Sequence, residues 1–190
     1  MKNIAIFASG SGTNAERIIE YFKEKDDVKI NLVLSNRKDA YVIQRAQNHN
    51  VPVIYFSRET FYNTEDLMII LEEFSIDLIV LAGFLWLVPE YMLKAYPDKI
   101  INIHPALLPK YGGEGMYGIK VHEEVIKSKD KESGISIHYV NEKYDEGELI
   151  FQAKCAIDDG ETPETLAEKI HKLEYEHFPQ VIEKLLLNMV

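Results

Sequence analysis

The chain has 190 residues, 46% of them hydrophobic and 27% charged, enough to bury one full core and too few to promise two. With 31 acidic against 21 basic residues its formal charge is -10, which repels polyanions and argues against extended contact with nucleic acid or an acidic membrane surface. No apolar run approaches the roughly 20 residues of a membrane span, and the N-terminus lacks the basic-then-apolar pattern of a secretory leader. These features predict a cytoplasmic protein made of one domain over residues 1–190. The single cysteine, Cys155, has no internal partner and reads as a small buried hydrophobe.

Along the chain, hydrophobic runs alternate with segments of helical period. Strands are predicted over residues 3–9, 28–35, 51–57, 77–84 and 100–104. They are short, apolar and β-branched with little polar alternation, as expected of strands covered on both faces by helices. Residues 15–25, 40–49, 64–74 and 89–96 lie between them, each long enough for a crossover helix. The alternation predicts an α/β fold with a doubly wound, mostly parallel sheet, Rossmann-like, with helices on both faces. Two further strands, 134–140 and 147–157, are joined by the polar segment 141–146 and predict a C-terminal β-hairpin that ends the sheet. A long last helix begins at Thr162-Pro163, with Thr162 as N-cap and Pro163 at the first helical position. Pro179 inside it predicts a kink or a split. There is no repeat, low-complexity tract or linker.

The first strand runs straight into Ser9-Gly10-Ser11-Gly12-Thr13-Asn14. Gly10 and Gly12 permit close approach of a ligand to the main chain. Thr13 followed by Glu16 has the form of a capping box, placing free N–H groups at the strand's carboxyl end, where they suit an anion. No Gly-Lys-Ser/Thr follows, so the loop is not a Walker motif, and the third glycine of the dinucleotide fingerprint is missing. A tight strand-to-helix turn without a ligand is the alternative.

Two other pieces fall where such a sheet presents its strand ends. In Asn102-Ile103-His104-Pro105 the period of two puts Asn102 and His104 on one face of a strand. An amide donor beside an imidazole suits a reaction that develops negative charge on a carbonyl oxygen while a proton moves. Tyr144-Asp145-Glu146-Gly147 places a carboxylate in the hairpin turn, aimed at a neighbouring strand end. Taken separately, a strand histidine is more often a satisfied structural residue, and an Asp in such a turn is usually turn chemistry alone.

The stretches "SGSGTN", "NIHPALLP" and "GISIHYVNEKYDEGELI", in this order and spacing, resemble the folate-dependent glycinamide ribonucleotide formyltransferases of purine biosynthesis. The likeness extends from the first strand to Pro179. It implies a cytoplasmic formyltransferase with 10-formyltetrahydrofolate as co-substrate, glycinamide ribonucleotide as acceptor, no metal, no nucleic-acid or membrane partner, and a monomer or homodimer. It carries the family's catalytic group onto Asn102, His104 and Asp145. It places the acceptor phosphate on Gly10, Ser11, Gly12, Thr13 and Asn14, and the acceptor's amine end on Glu174. His171, one helical turn from Glu174, either donates to the phosphate or is a solvated surface residue. The folate site falls on residues 81–88, with Leu85, Trp86, Leu87 and Val88 at its wall, and on the turn from Asn141 through Tyr144 to Asp145; residues 81–84 also read as plain strand.

Two departures from the family pattern stand out. Trp86 occupies a position where many relatives carry Arg, and Gly112-Gly113-Glu114-Gly115-Met116-Tyr117-Gly118 replaces a shorter segment, reading as a mobile flap or an ordinary flexible loop. His138 is placed beside the catalytic group, whereas His49, His122 and His177 read as surface or packing residues. No His or Cys pair has metal-ligand spacing, which predicts no structural zinc. Within the family, an aminoacyl-tRNA formyltransferase would carry a different N-terminal loop and a further C-terminal domain. A formyltetrahydrofolate hydrolase would carry a preceding regulatory domain. The rival outside catalysis is a regulatory module that keeps the fold, against which the trio Asn102, His104 and Asp145 speaks.

Overall fold

The computed structural model describes residues 1–189. Seven strands form one sheet in the order β3-β2-β1-β4-β5-β6-β7. β1 (Lys2–Phe7), β2 (Val28–Ser35), β3 (Val53–Tyr55), β4 (Leu78–Leu81) and β5 (Ile100–His104) pair in parallel. β6 (Glu132–Tyr139) and β7 (Leu149–Ala156) add antiparallel strands at one edge and form the predicted hairpin.

Successive side chains of β1 divide the core in two. Ile4 and Ile6 face one side with Ile18 of α1 (Thr13–Phe22), Val42 of α2 (Val42–Asn48) and Phe178 and Ile182 of the long last helix. Ala5 and Phe7 face the other with Phe61 of α3 (Arg58–Asn63), Leu67 and Leu71 of α4 (Asp66–Glu73) and Met92 of α5 (Glu90–Ala95). A strand buried on both faces has no reason to alternate polar residues, which is why these strands read as continuous apolar runs. The chain leaves β1 toward β2 on one side and later crosses to β4 on the other. The carboxyl ends of β1 and β4 therefore flank the crevice that open α/β sheets use for ligands.

Several local expectations are corrected. The helix predicted over 64–74 forms as α4, and an unpredicted helix, α3, precedes it: Ser57 caps α3 by accepting the Thr60 amide at 3.1 Å, and the chain turns extended at Thr64 before α4 begins. An unpredicted helix, α6 (Ile119–Ser128), follows Gly118 directly; it buries Val121, His122 and Val125, a stripe masked by the glycine-rich run before it. The last helix, α7 (Pro163–Asn188), carries Pro179 in its interior without splitting. Its start is as expected: the Thr162 and Thr165 hydroxyls accept each other's backbone amides. The capping box at Thr13 does not form. Gly12, at φ 74, is the N-cap with no side-chain cap, and Glu16 turns away to pair with Arg45. Cys155 is half-buried rather than buried, and desolvation pushes its thiol up.

At the hairpin the backbones approach closely. A Cβ on Gly147 would sit 1.7 Å from the Tyr139 carbonyl oxygen, next to a register shift between Ile137 and His138. Gly147→Ala is expected to lower stability by about 1–3 kcal/mol, the usual cost of overpacking, read as a fall in the denaturant midpoint with an unchanged m-value. Wild-type stability would show that the hairpin tolerates spreading at this point.

Candidate functional site

A cavity of about 740 Å³ opens at the carboxyl ends of β1, β4 and β5. All five residues of the glycine-rich loop line it, as do Asn102, His104, Asp145, Glu174 and residues 85–88. Five chain segments distant in sequence thus meet in one place.

Asn102 and His104 leave β5 on the same face, and Asp145 comes from the β6–β7 turn with φ 56. His104 is 3% exposed. Its Nδ1 lies 3.4 Å from Asp145 Oδ2, and its Nε2 lies 2.7 Å from the Tyr111 carbonyl oxygen. A carbonyl only accepts, so Nε2 carries hydrogen and the nitrogen free to change protonation is Nδ1. The same logic applies to His138, whose Nδ1 donates to the Tyr139 carbonyl at 2.7 Å. Its Nε2 is then the acceptor for Asn102 Nδ2 at 3.1 Å. Asn102 Nδ2 also lies 3.4 Å from Asp145 Oδ1. The amide is therefore turned with its N–H groups toward Asp145, as a donor to charge should be.

The ionisation states follow from burial set against these contacts. Burial alone would raise the Asp145 carboxyl. The imidazoles of His138 and His104 beside it and the Gly113 amide, which donates to Oδ2 at 2.9 Å, outweigh it and hold Asp145 below its ordinary value. For His104, burial is the largest effect and pushes the imidazole below its ordinary value. Asp145 and the Tyr111 carbonyl oppose that shift without overcoming it, and His138 adds to it.

At the other end of the cavity, the glycine-rich loop has its carbonyls committed elsewhere. Gly10 O accepts from the Val42 amide at 3.1 Å, Ser11 O from Arg45 Nε at 2.9 Å and Gly12 O from the Glu16 amide at 2.9 Å. The amides at the start of α1 are left to the cavity, as an anion site requires. Beside them Glu174 is 6% exposed and accepts from Asn14 Nδ2 at 3.0 Å. Burial pushes its carboxyl up to about 7, against the lowering by Asn14. His171 is exposed and lines the cavity.

The apolar wall holds Leu85 to Val88 as expected. Ser9 ties this wall to the glycine-rich loop: its amide donates to Gly83 O at 3.0 Å and its Oγ accepts from the Leu85 amide at 3.1 Å. Trp86 both lines the cavity and packs into an aromatic cluster, 5.7 Å from Phe61 and 6.0 Å from Phe56 between ring centroids. Tyr144 lines the cavity, but Asn141 does not; its Oδ1 accepts the Lys143 amide at 3.0 Å and shapes the turn.

Sequence reasoning missed the part played by His122. It is 3% exposed, lines the cavity from α6, and is pushed down to about 4 by burial, with His171 and His104 adding to the shift. Recognising α6 would have been the signal. Of the other two, His49 lies 3.6 Å from Glu16, and His177 packs on Phe151 at 5.1 Å. Sequence reasoning also missed Gly113, whose amide ties the glycine-rich segment to Asp145. Among the described residues no group of three or more His, Cys, Asp or Glu could hold a metal ion.

An open α/β sheet with free amides in a glycine-rich loop, an amide–imidazole–carboxylate trio and an apolar wall in one cavity defines a group-transfer enzyme site. The model of a family described as formyl transferase matches residues 2–182, and the chain belongs to that family. It is 38% identical to the phosphoribosylglycinamide formyltransferase of Bacillus subtilis (strain 168), over 98% of this chain and 95% of that one. It is 35% identical to the chloroplastic phosphoribosylglycinamide formyltransferase of Arabidopsis thaliana, over 95% of this chain and 64% of that longer one. The crystal structure of glycinamide ribonucleotide transformylase 1 from Geobacillus kaustophilus superposes with a TM-score of 0.88 at 38% identity, covering 98% of this chain and 99% of that chain.

The buried Glu174 has a consequence for stability. A carboxyl whose folded pKa is about 7, above its ordinary 4.5, stabilises the fold fully below pH 4.5, and that contribution is lost as pH rises through about 7. Glu174→Gln keeps an acceptor for Asn14 and removes the charge. It is expected to be comparable to wild type at pH 4 and more stable above pH 7, by on the order of 3 kcal/mol at the limit. Parallel denaturation curves from pH 4 to 9 check this; a constant difference between the two proteins would show that Glu174 does not titrate across this range.

Proposed function

We propose that this protein transfers the formyl group of 10-formyltetrahydrofolate to the amine of glycinamide ribonucleotide, giving N-formylglycinamide ribonucleotide in purine biosynthesis. The observation that carries the reading is the meeting of Asn102, His104 and Asp145 in one cavity that also holds the α1 amides and the buried Glu174. We further propose that the chain works as a single domain in the cytoplasm, as a monomer or homodimer, without nucleic acid or membrane. The -10 charge and the lack, among the described residues, of a helix long and apolar enough to cross a membrane support this.

The cavity fits two ligands of unlike chemistry. Gly10 to Asn14 offer backbone amides to a phosphate monoester, and Glu174 offers an acceptor to an amine. Leu85 to Val88 and Tyr144 offer a largely apolar wall to a flat heterocycle. Bound folate supplies an activated formyl carbon. As the acceptor amine bonds to that carbon, charge develops on the formyl oxygen, and the donors beside it are Asn102 Nδ2 and His104 Nδ1. Burial holds the His104 imidazole below its ordinary value in the free site; Nδ1 takes a proton from solvent as the oxyanion forms and returns it as the tetrahedral intermediate collapses, and Asp145 stabilises the imidazolium in between. A proton then passes from the attacking nitrogen to the leaving folate nitrogen, with Asp145 and water as the relay. Proton count and charge balance without a metal.

The second reading is hydrolysis of the formyl donor by the same trio. The anion loop and Glu174 favour an acceptor that carries a phosphate and an amine over water. A coupled assay decides: formyl transfer that requires glycinamide ribonucleotide supports the proposal, and formate release at the same rate without it supports hydrolysis.

Two variants test the roles. Asp145→Asn keeps shape and removes charge; kcat is expected to fall by roughly two to four orders of magnitude while both KM values stay within about tenfold. Normal turnover at saturation would place Asp145 outside the chemistry. Gly10 has open space where its Cβ would stand, whereas a Cβ on Gly12 would meet Val42 at 2.5 Å, so Gly10 is the cleaner probe of the loop. Gly10→Val should raise KM for glycinamide ribonucleotide by at least about tenfold, through lost amide contacts to phosphate, with KM for the folate unchanged. Equal rises in both would mean the loop only shapes the cavity.

A further inference from the structure

The segment after β5 touches the catalytic group at two points. Tyr111 places its carbonyl oxygen 2.7 Å from His104 Nε2, and two residues on the Gly113 amide reaches Asp145 Oδ2 at 2.9 Å. Tyr111 does this from φ 57, a left-handed conformation that is uncommon for a bulky side chain and persists only where the surroundings impose it. The surroundings here are specific. The Tyr111 hydroxyl donates to Asp130 Oδ2 at 2.8 Å and lies 2.5 Å from Ser128 Oγ, so the ring is pinned to the turn between α6 and β6. Lys110 Nζ donates to the same Asp130 oxygen at 3.0 Å. A remote carboxylate thus fixes the ring whose own carbonyl meets the catalytic imidazole.

We infer that Asp130 and the Tyr111 hydroxyl are positioning residues for His104: they hold the Tyr111 carbonyl against Nε2, lock the imidazole in its Nε2–H form, and so keep Nδ1, on the Asp145 side, as the nitrogen that gains and loses the proton. The inference rests on the reading of His104 as the proton donor to the formyl oxygen. The unit lies behind the cavity: Asp130 is not among its lining residues, and its effect on rate runs through the orientation of one ring. Loss of the anchor frees the strained Tyr111 backbone to relax and lets His104 rotate or change tautomer; misplacement by about 1 Å costs on the order of 100-fold in rate.

Tyr111→Phe keeps the ring and removes only the anchor, and Asp130→Ala removes its acceptor, whereas Asp130→Asn keeps an acceptor. In the first two, kcat is expected to fall by about 10- to 100-fold with both KM values within about threefold; Asp130→Asn should recover most of the loss. The ring nitrogens of His104, followed by ¹⁵N NMR, should show Nε2–H in wild type and a mixture of tautomers in Tyr111→Phe. In a His104→Ala background, Tyr111→Phe should cost nothing further. Unchanged kcat with an intact Nε2–H signal in Tyr111→Phe would overturn the inference, as would an undiminished effect in the His104→Ala background or a loss confined to KM. If His104→Ala alone turns over normally, it is the catalytic reading of His104 that fails, and the NMR comparison still decides whether Tyr111 and Asp130 set the tautomer.

Discussion

One carboxylate, its side chain 10% exposed, sets the terms for the rest of the site. Asp145 sits where water is scarce, and a charge there costs free energy unless donors surround it. The chain supplies two from separate elements, Asn102 from β5 and the Gly113 amide from the loop before α6, and brings the His104 and His138 ring nitrogens within 3.4 and 3.6 Å of the same carboxylate. Each needs the sheet order to be in reach, since β5 and β6 are neighbours only because the sheet closes with antiparallel strands. The register shift at Ile137/His138 and the close approach of Gly147 to Tyr139 shape the turn that carries the carboxylate.

The two ends of the cavity meet opposite requirements with little charge. On the proposed reading an acidic protein binds an anion and cannot rely on its surface field; the recognition elements are then backbone amides whose loop carbonyls are turned away to α2 and α1. The apolar end borrows from the core: Trp86 belongs to the same aromatic cluster as Phe56, Phe61 and Phe84. Where many relatives are expected to have Arg, this wall is continuous with packed side chains, and the nearby cation, Arg58, stacks over the Trp86 ring at 5.6 Å.

How much of this could be read from the sequence depends on whether the signal was local. The strands were legible because burial on both faces leaves an unbroken apolar run, and the trio was legible because two residues share a strand face and the third sits in a turn with Gly. What escaped was set by tertiary context. Helix α6 begins immediately after a glycine-rich run, and one of its three buried positions is a histidine, His122, which no apolar pattern would count. Glu16 appeared to belong to a capping box, yet a salt bridge to Arg45 on another helix claims it. Pro179 suggested a kink or a split, and α7 runs through it without splitting. Asn141 sat inside the expected folate turn, but its side chain serves the turn itself. The anchor from Asp130 through Tyr111 to His104 left no trace in sequence spacing at all, because a backbone carbonyl makes the decisive contact.

In the free site burial works against the charged forms of two groups. Burial pushes the Glu174 carboxyl up to about 7 and holds the His104 imidazole below its ordinary value. On the proposed reading the missing charges arrive with the ligands: an amine end beside Glu174 favours the carboxylate, and negative charge growing on the formyl oxygen favours the imidazolium. Burial, which makes either ion costly alone, also makes each attraction stronger once formed, because the medium around it screens little. The stabilisation at His104 is then greatest when the oxygen carries most charge, and that is the condition for lowering a barrier rather than tightening a ground state.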